Sequence, residues 1–276
     1  MLLRCIKTAC AAGLALFATS AVAASLAASS TSCSAKSGAQ TVALVELFTS
    51  EGCNSCPPAD RWLSSTFRDG ASTPAIALAF HVDYWDRLGW KDRFASAEYT
   101  QRQYDAVRAG ASRFPYTPQV LVQGRDVPDW SVASTKAGPG RAIATASATR
   151  ARADIALDAV PRDGVVAVKA TARVTNPADR GDSTLYLALT QDGLVSDVKA
   201  GENAGEHLTH DHVVRAFRSS GRHDAEGTLR FDAEFVLPRD GAQTFNVVAF
   251  VQKPANGEVL QALALPLSAQ ACSGTR

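Results

Sequence analysis

The sequence has almost no excess charge of either sign: 28 Lys and Arg stand against 27 Asp and Glu, a formal net charge of +1. A nucleic-acid binder would show a basic footprint, and none is present; nor is there an acidic tail for a partner to read. Methionine is nearly absent too, with Met1 alone among 276 residues. That excludes a methionine-rich soft-metal site. Beyond the N-terminus no apolar run reaches the 18 or so residues that a membrane-spanning helix needs. No internal repeat is evident, and low-complexity sequence is confined to the alanine- and serine-rich stretch before residue 40.

What the chain does have is enough apolar sequence, 46% of residues against 20% charged, to bury a sizeable core in one large or two ordinary domains. Its first residues, MLLRCIKTACAAGLALFATSAVAAS, carry Arg4 and Lys7, an apolar alanine-rich stretch and an Ala-Val-Ala ending at Ala23. This is the layout of a secretory signal peptide. Residues 1–24 are therefore expected to be removed, leaving a periplasmic or secreted chain with no membrane association. The competing reading, a retained anchor, needs a longer apolar stretch.

Removal of the leader takes Cys5 and Cys10 with it and leaves Cys33, Cys53, Cys56 and Cys272. An even number of cysteines in an exported chain favours disulfides over a zinc site. Cys33 and Cys272 flank the folded body, so a structural bond between them is expected to staple the two ends; two unpaired tail thiols are the alternative.

Between those ends the pattern changes once. TVALVELFTS and AIALAFHVDYW are apolar runs with strand composition, Pro57-Pro58 opens a helix, and Ser96 caps another that stops at Gly110. A short strand pair around Gln123-Gly124 and a closing helix complete an α/β order over residues 41–153. From 154 to 270 apolar and polar residues alternate in strands separated by Asp-Gly and Asn-Gly turns. This predicts a separate all-β sandwich domain. Residues 25–40 are expected to be a flexible segment and 271–276 a tail.

Where the first strand meets the first helix the sequence reads VELFTSEGCNSCPPAD. Two cysteines three apart at a helix start share one face of its first turn and are near enough to bond. Unpaired backbone N–H groups and the positive end of the helix dipole favour thiolate at Cys53. Cys53 is then the exposed nucleophile, and Cys56, one turn further in, the shielded resolving thiol. A zinc site would require two more ligands at suitable spacing, which are lacking.

Read together with Tyr116-Thr117-Pro118 before an apolar strand, Cys-Asn-Ser-Cys-Pro resembles the thioredoxin fold. That resemblance implies a cis-proline at Pro118, facing Cys53, and a Thr117–Pro118 loop that holds an extended substrate. More narrowly, VELFTSEGCNSCPPAD, HVDYWDRLGWKDRF, RFPYTPQVLVQG and GENAGEHLTHDHVVRAF resemble the secreted thioredoxin-like family filed as domain of unknown function 1223. The fold class implied is an α/β thioredoxin-like domain, 41–153, followed by the β-sandwich. Glu46 resembles the buried acid beneath such a site, where it would exchange a proton with Cys56; a purely structural carboxylate is the other reading.

The aromatics of HVDYWDRLGW, Tyr84 and Trp85 above all, are candidates to line a substrate groove; alternatively they and Trp90 pack a long loop. His207, His210 and His212 lack the helical spacing of paired metal ligands, and a hydrogen-bonded structural role competes with metal binding. The expected function is an exported thiol–disulfide oxidoreductase acting through Cys53 and Cys56 on a protein or small-molecule thiol or disulfide partner, without cofactor or bound metal. The alternative is a non-enzymatic binding protein that holds a soft metal such as Cu(I) with the two thiols and His81.

Overall fold

The computed structural model describes residues 32–68, 74–131, 138–220, 223–224, 226–268 and 272. The expected signal peptide lies outside them. In chain order the first half forms β1 (Cys33–Lys36), β2 (Ala43–Thr49), α1 (Pro57–Phe67), β3 (Ala75–His81), α2 (Ala97–Arg108), β4 (Gln119–Val122), β5 (Arg125–Asp126) and α3 (Gly138–Ser147). Among the described residues the named elements of the second half are strands apart from one 3-10 turn: β6 (Ala153–Arg162), β7 (Val165–Val174), β8 (Thr184–Asp192), β9 (Leu194–Asp197), β10 (His207–His210), β11 (Val213–Ser220), β12 (Thr228–Val236), β13 (Thr244–Gln252) and β14 (Val259–Pro266).

Local structure follows the sequence pattern closely. All seven residues of β2 are buried, as a continuous apolar run covered on both faces requires. In β7 and β12 apolar and polar residues alternate; the apolar face of β7 is buried and that of β12 is buried or half-buried. Ser96 caps α2 by accepting a hydrogen bond from the Glu98 N–H at 3.2 Å. Two prolines occupy the first positions of α1, where a missing N–H costs nothing.

The expected fold class is corrected by the pairing of the strands. The chain does not build a thioredoxin-like α/β domain followed by a detached sandwich; it is mostly β, and its largest sheet runs through both halves. Eight strands lie in the order β14-β13-β8-β11-β3-β2-β4-β5. The seam is β3 against β11, parallel, with Val213 beside Ala79 and the Ala79 N–H donating to the His212 carbonyl at 2.8 Å. A strand's edge carries unpaired N–H and C=O groups that must find partners when buried. The edge of β3 finds them far along the chain, where local sequence gives no signal.

A second sheet, β1-β6-β7-β12, covers the β8-β13-β14 part of this large sheet and completes a sandwich-like core. On the same face, α1 and α3 cover β2, β3 and β4 through Ala59, Leu63, Phe67 and Ile143. The opposite face carries one apolar layer from Leu44 and Phe80 to Phe217 and Phe250, partly beneath α2. Residues 33–36, expected within a flexible segment, instead form β1, which pairs with β6 in antiparallel register from Cys33↔Ala159 to Lys36↔Ala156. Gly124 and Gly257 pinch the halves together elsewhere: a Cβ on Gly124 would collide with the Gly257 carbonyl.

Candidate functional site

Among the described residues two disulfides are present, Cys33–Cys272 and Cys53–Cys56. The first is set in the apolar core between the two sheets, among residues such as Ile155, Leu157 and Leu265. The second sits in the turn between β2 and α1. There the Cys53 N–H donates to the Ser50 carbonyl and the Cys56 N–H to the Cys53 carbonyl, at 3.2 and 3.1 Å. Cys53 Sγ lies 3.4 Å from Ser55 Oγ.

Two features of the expected site are corrected here. Cys53 is not exposed: it and Cys56 both have 0% of their surface accessible. Asn203, from the β9–β10 connection, donates to the Glu51 and Cys53 carbonyls at 2.8 and 3.0 Å and closes over the turn. Asn54 N–H reaches Glu202 from the same loop at 3.3 Å. Gly52 allows Trp85 to lie against the turn, since a Cβ there would meet the Trp85 Cβ at 3.1 Å. Nor does α1 offer free N–H groups to Cys53. Pro57 and Pro58 have none, and those of Ala59 and Asp60 donate to the Cys56 carbonyl at 2.8 and 3.1 Å.

Glu46 is also displaced from its expected role. Within β2, Val45 and Leu47 face α1, so Glu46 faces the other side with Leu44 and Phe48. It is buried against the Arg102 guanidinium of α2, with Arg102 Nε donating to Glu46 Oε1 at 2.6 Å. Arg102 in turn lies about 5 Å from the ring centres of Phe80, Tyr186, Phe217 and Phe250. The pair binds α2 to the sheet, with the sheet between it and α1.

The carboxylates that do approach the cysteine turn were missed. Glu51 precedes Gly52-Cys53, and Asp60 lies four residues after Cys56, hence on the same face of α1 one turn on. Both are buried, with Asp92, His81 and His210. His81 Nδ1 is 2.7 Å from Asp92 Oδ2, and Asp92 Oδ2 accepts the Glu51 N–H at 2.9 Å. His210 Nε2 is 3.3 Å from Glu51 Oε1, at ion-pair distance, and His210 Nδ1 is 3.9 Å from Asp60 Oδ2, beyond hydrogen-bond reach; neither nitrogen makes a well-formed hydrogen bond. The His81 and His210 rings stand 5.0 Å apart, edge to face. Trp90 Nε1 donates to Glu51 Oε2 at 2.8 Å from the half-buried rim.

This crowding shifts four of these groups. Burial pushes the Asp60 carboxyl above its ordinary value, only partly offset by the charges of His210 and His81. Burial opposes the His81 charge, but Asp92, with Asp60 and Glu51, outweighs it and raises that imidazole. Asp92 is held low despite burial by His81 and two backbone N–H groups. Glu51 is lowered likewise, its burial outweighed by contacts including His210 and Trp90.

The Thr117–Pro118 bond is cis. Thr117 Oγ1 accepts from Trp85 Nε1 at 2.8 Å, so Trp85 spans from the cysteine turn to this loop. Tyr84 and Trp85 are half-buried and pack on the apolar layer beneath α2. His207 is exposed and paired with Asp197 at 2.7 Å. His212 sits at φ 59° beside Asp192, so the three histidines do not converge. Among the described residues no group of three or more His, Cys, Asp and Glu is arranged to hold a metal. His81 is committed to Asp92, and no helix there is long and apolar enough to cross a membrane.

The fold is similar to two solved structures. Protein AGR_C_4864 from Agrobacterium tumefaciens is 24% identical, with a TM-score of 0.57 over 84% of this chain and 97% of that one. HBP35 of Porphyromonas gingivalis is 16% identical, with a TM-score of 0.58 over 82% of this chain and 75% of that one. No curated protein matches. Residues 44–252 match the model described as protein of unknown function (DUF1223), a span that holds the cysteine turn, the buried acid–histidine cluster and the loop that covers them, and the chain belongs to that family.

Proposed function

We propose that this chain is an exported thiol–disulfide oxidoreductase, periplasmic or secreted, working through Cys53 and Cys56 on a protein or small-molecule thiol partner. One observation carries the reading: of the two disulfides among the described residues, Cys53–Cys56 alone lies in a turn flanked by buried carboxyls, Glu51 before it and Asp60 after it, which are linked in turn to Asp92, His81 and His210. Perturbed titratable groups clustered around a reactive pair are the mark of a site rather than of a staple. Two disulfides and a signal-peptide-like N-terminus support export.

When the reduced pair acts, the Cys53 thiolate attacks a partner disulfide and expels one partner sulfur as a thiolate, and Cys56 then attacks Cys53 Sγ and releases the second; when the oxidised pair acts, a partner thiolate attacks Cys53 Sγ. The Cys53–Cys56 bond breaks, its electron pair passes to Cys56 Sγ, and a proton neutralises that sulfur. A second partner thiolate then attacks the partner sulfur of the mixed disulfide and releases Cys53 as a thiolate, which takes the second proton. The partner leaves as a disulfide, and the enzyme as a dithiol with two electrons and two protons gained. Because both sulfurs are covered, access requires the Asn203 loop or Trp85 to move aside.

The test is partner trapping. Cys56→Ser should accumulate mixed disulfides through Cys53, whereas Cys53→Ser should not. If Cys56→Ser captures no partner in its own compartment and the native protein neither oxidises nor reduces a test disulfide above background, this function is rejected.

A further inference from the structure

We infer that Asp60, His210 and Glu51 form a proton relay for the cysteine pair, with His210 as the mobile link between the two carboxyl groups. The inference rests on the oxidoreductase reading but is testable apart from it.

Its starting point is the burial of both sulfurs. Cys56 and Cys53 are each 0% exposed, so even when the Asn203 loop or Trp85 moves to admit the attacking thiol to Cys53, the sulfur expelled at Cys56 gains its negative charge in a largely buried setting. An unpaired charge in that setting is costly, and a proton must arrive through the protein. Asp60, at the next turn of α1 on the Cys56 face, is the nearest acid along the helix. His210 comes from β10, whose hairpin packs over α1. Its two nitrogens face different carboxylates, Nδ1 toward Asp60 at 3.9 Å and Nε2 toward Glu51 at 3.3 Å.

A buried imidazole that faces a carboxyl on each side without a well-formed hydrogen bond to either is uncommon in a settled core, where polar groups are bonded. Each separation is a small ring movement from a hydrogen bond, so His210 can serve one carboxyl and then the other. Glu51 reaches the half-buried Trp90 at the rim. The other charged groups facing His210 are His81 on β3 and Asp92 before α2, already locked together, and the rest of its surroundings include the Phe94 ring. Asp60 keeps its proton to higher pH than an ordinary aspartate because it is buried.

The transfer balances as follows. As the Cys53–Cys56 bond breaks, Asp60 gives its proton to Cys56 Sγ and becomes a carboxylate. A proton from His210 restores Asp60, and His210 recovers one by way of Glu51 and the solvent at the rim. Oxidation of the pair runs the same path backwards. Asp60 and His210 are thus positioning and relay groups for Cys56, and the electrons are supplied wholly by the attacking thiol.

Dithiothreitol is the probe, so no natural partner is required. Reduction of Cys53–Cys56 in the full chain is followed by mass mapping from roughly pH 5 to pH 9, with rates corrected for reductant ionisation. Native protein should show a rate that falls as an internal acid titrates. Asp60→Asn and His210→Gln should lower the rate at neutral pH on the order of a hundredfold and flatten the profile, with Asp60→Glu restoring part of both. Unchanged rates and profiles in both variants would overturn the relay. Should either variant fail to fold, redox-difference infrared spectra of the native protein decide: a carboxyl band that shifts on reduction supports the relay, and none refutes it. Altered profiles combined with failed partner trapping would leave the relay standing and remove the oxidoreductase reading, while the reverse outcome would do the opposite.

Discussion

Both disulfides in this chain are buried, yet their surroundings have nothing in common. Cys33–Cys272 joins residues 239 apart in sequence and sits among aliphatic side chains between two sheets. Cys53–Cys56 joins residues 3 apart in a turn flanked by the buried carboxyls of Glu51 and Asp60, which are linked to His81, Asp92 and His210. Burial therefore does not distinguish the two bonds. The chemistry of the neighbours does: an apolar shell has no means to neutralise a thiolate, and a cluster of acids and imidazoles does.

The sharpest break in this contrast is in stability. Replacing Cys33 and Cys272 together by alanine should cost up to about 5 kcal/mol, because the bond closes most of the chain into one loop. The same replacement at Cys53 and Cys56 should cost no more than about 2 kcal/mol. Urea denaturation of the two double variants measures both, and equal losses would remove the distinction.

Next in size is the Glu46–Arg102 pair, which tests whether the two sides of the large sheet are independent. Arg102→Ala leaves Glu46 buried without its partner and should cost about 3–5 kcal/mol. It should leave the pH profile of Cys53–Cys56 reduction unchanged, since Glu46 faces away from α1. A shifted profile would return Glu46 to the proton path.

Asn203→Ala should have a smaller effect on stability, about 1–3 kcal/mol from two stranded carbonyls. It should also speed reduction of Cys53–Cys56 while leaving Cys33–Cys272 untouched. Peptide mapping after brief dithiothreitol treatment reads both bonds at once.

The smallest expected effect is the pH dependence of folding above pH 6.5. His81 has a folded pKa raised above its ordinary 6.5, so its contribution is complete below that value and is lost as pH rises through the folded pKa. Asp60, raised above 3.8, loses its contribution in the same direction. His212 is lowered by burial and has the opposite sign, but its gain is complete by about its unfolded value of 6.5. Urea midpoints should therefore decline from pH 6.5 to the alkaline side, and His81→Gln should reduce the decline.

Much of the local structure was readable from the residues themselves. The buried run of β2, the double proline of α1 and the alternation of β7 each follow from short-range pattern. What could not be read was long-range pairing. Nothing in AIALAFH tells that its free edge meets VVRAFRSS and merges two expected domains into one large sheet. The same limit applies to the site. Asp60 was available from its spacing to Cys56, and Glu46 could have been discounted only by knowing which face of β2 receives α1. Asn203 and His210 reach the cysteine turn only through the β9–β10 hairpin, whose position depends on that pairing.

The most direct measurement of the contrast is the order in which the two disulfides open in the folded protein. With graded dithiothreitol or glutathione and differential alkylation, Cys53–Cys56 should reduce first and reoxidise fully. Cys33–Cys272 should stay closed until the chain unfolds. Simultaneous opening of both bonds, or earlier opening of Cys33–Cys272, would contradict the assignment of Cys53–Cys56 as the redox-active pair.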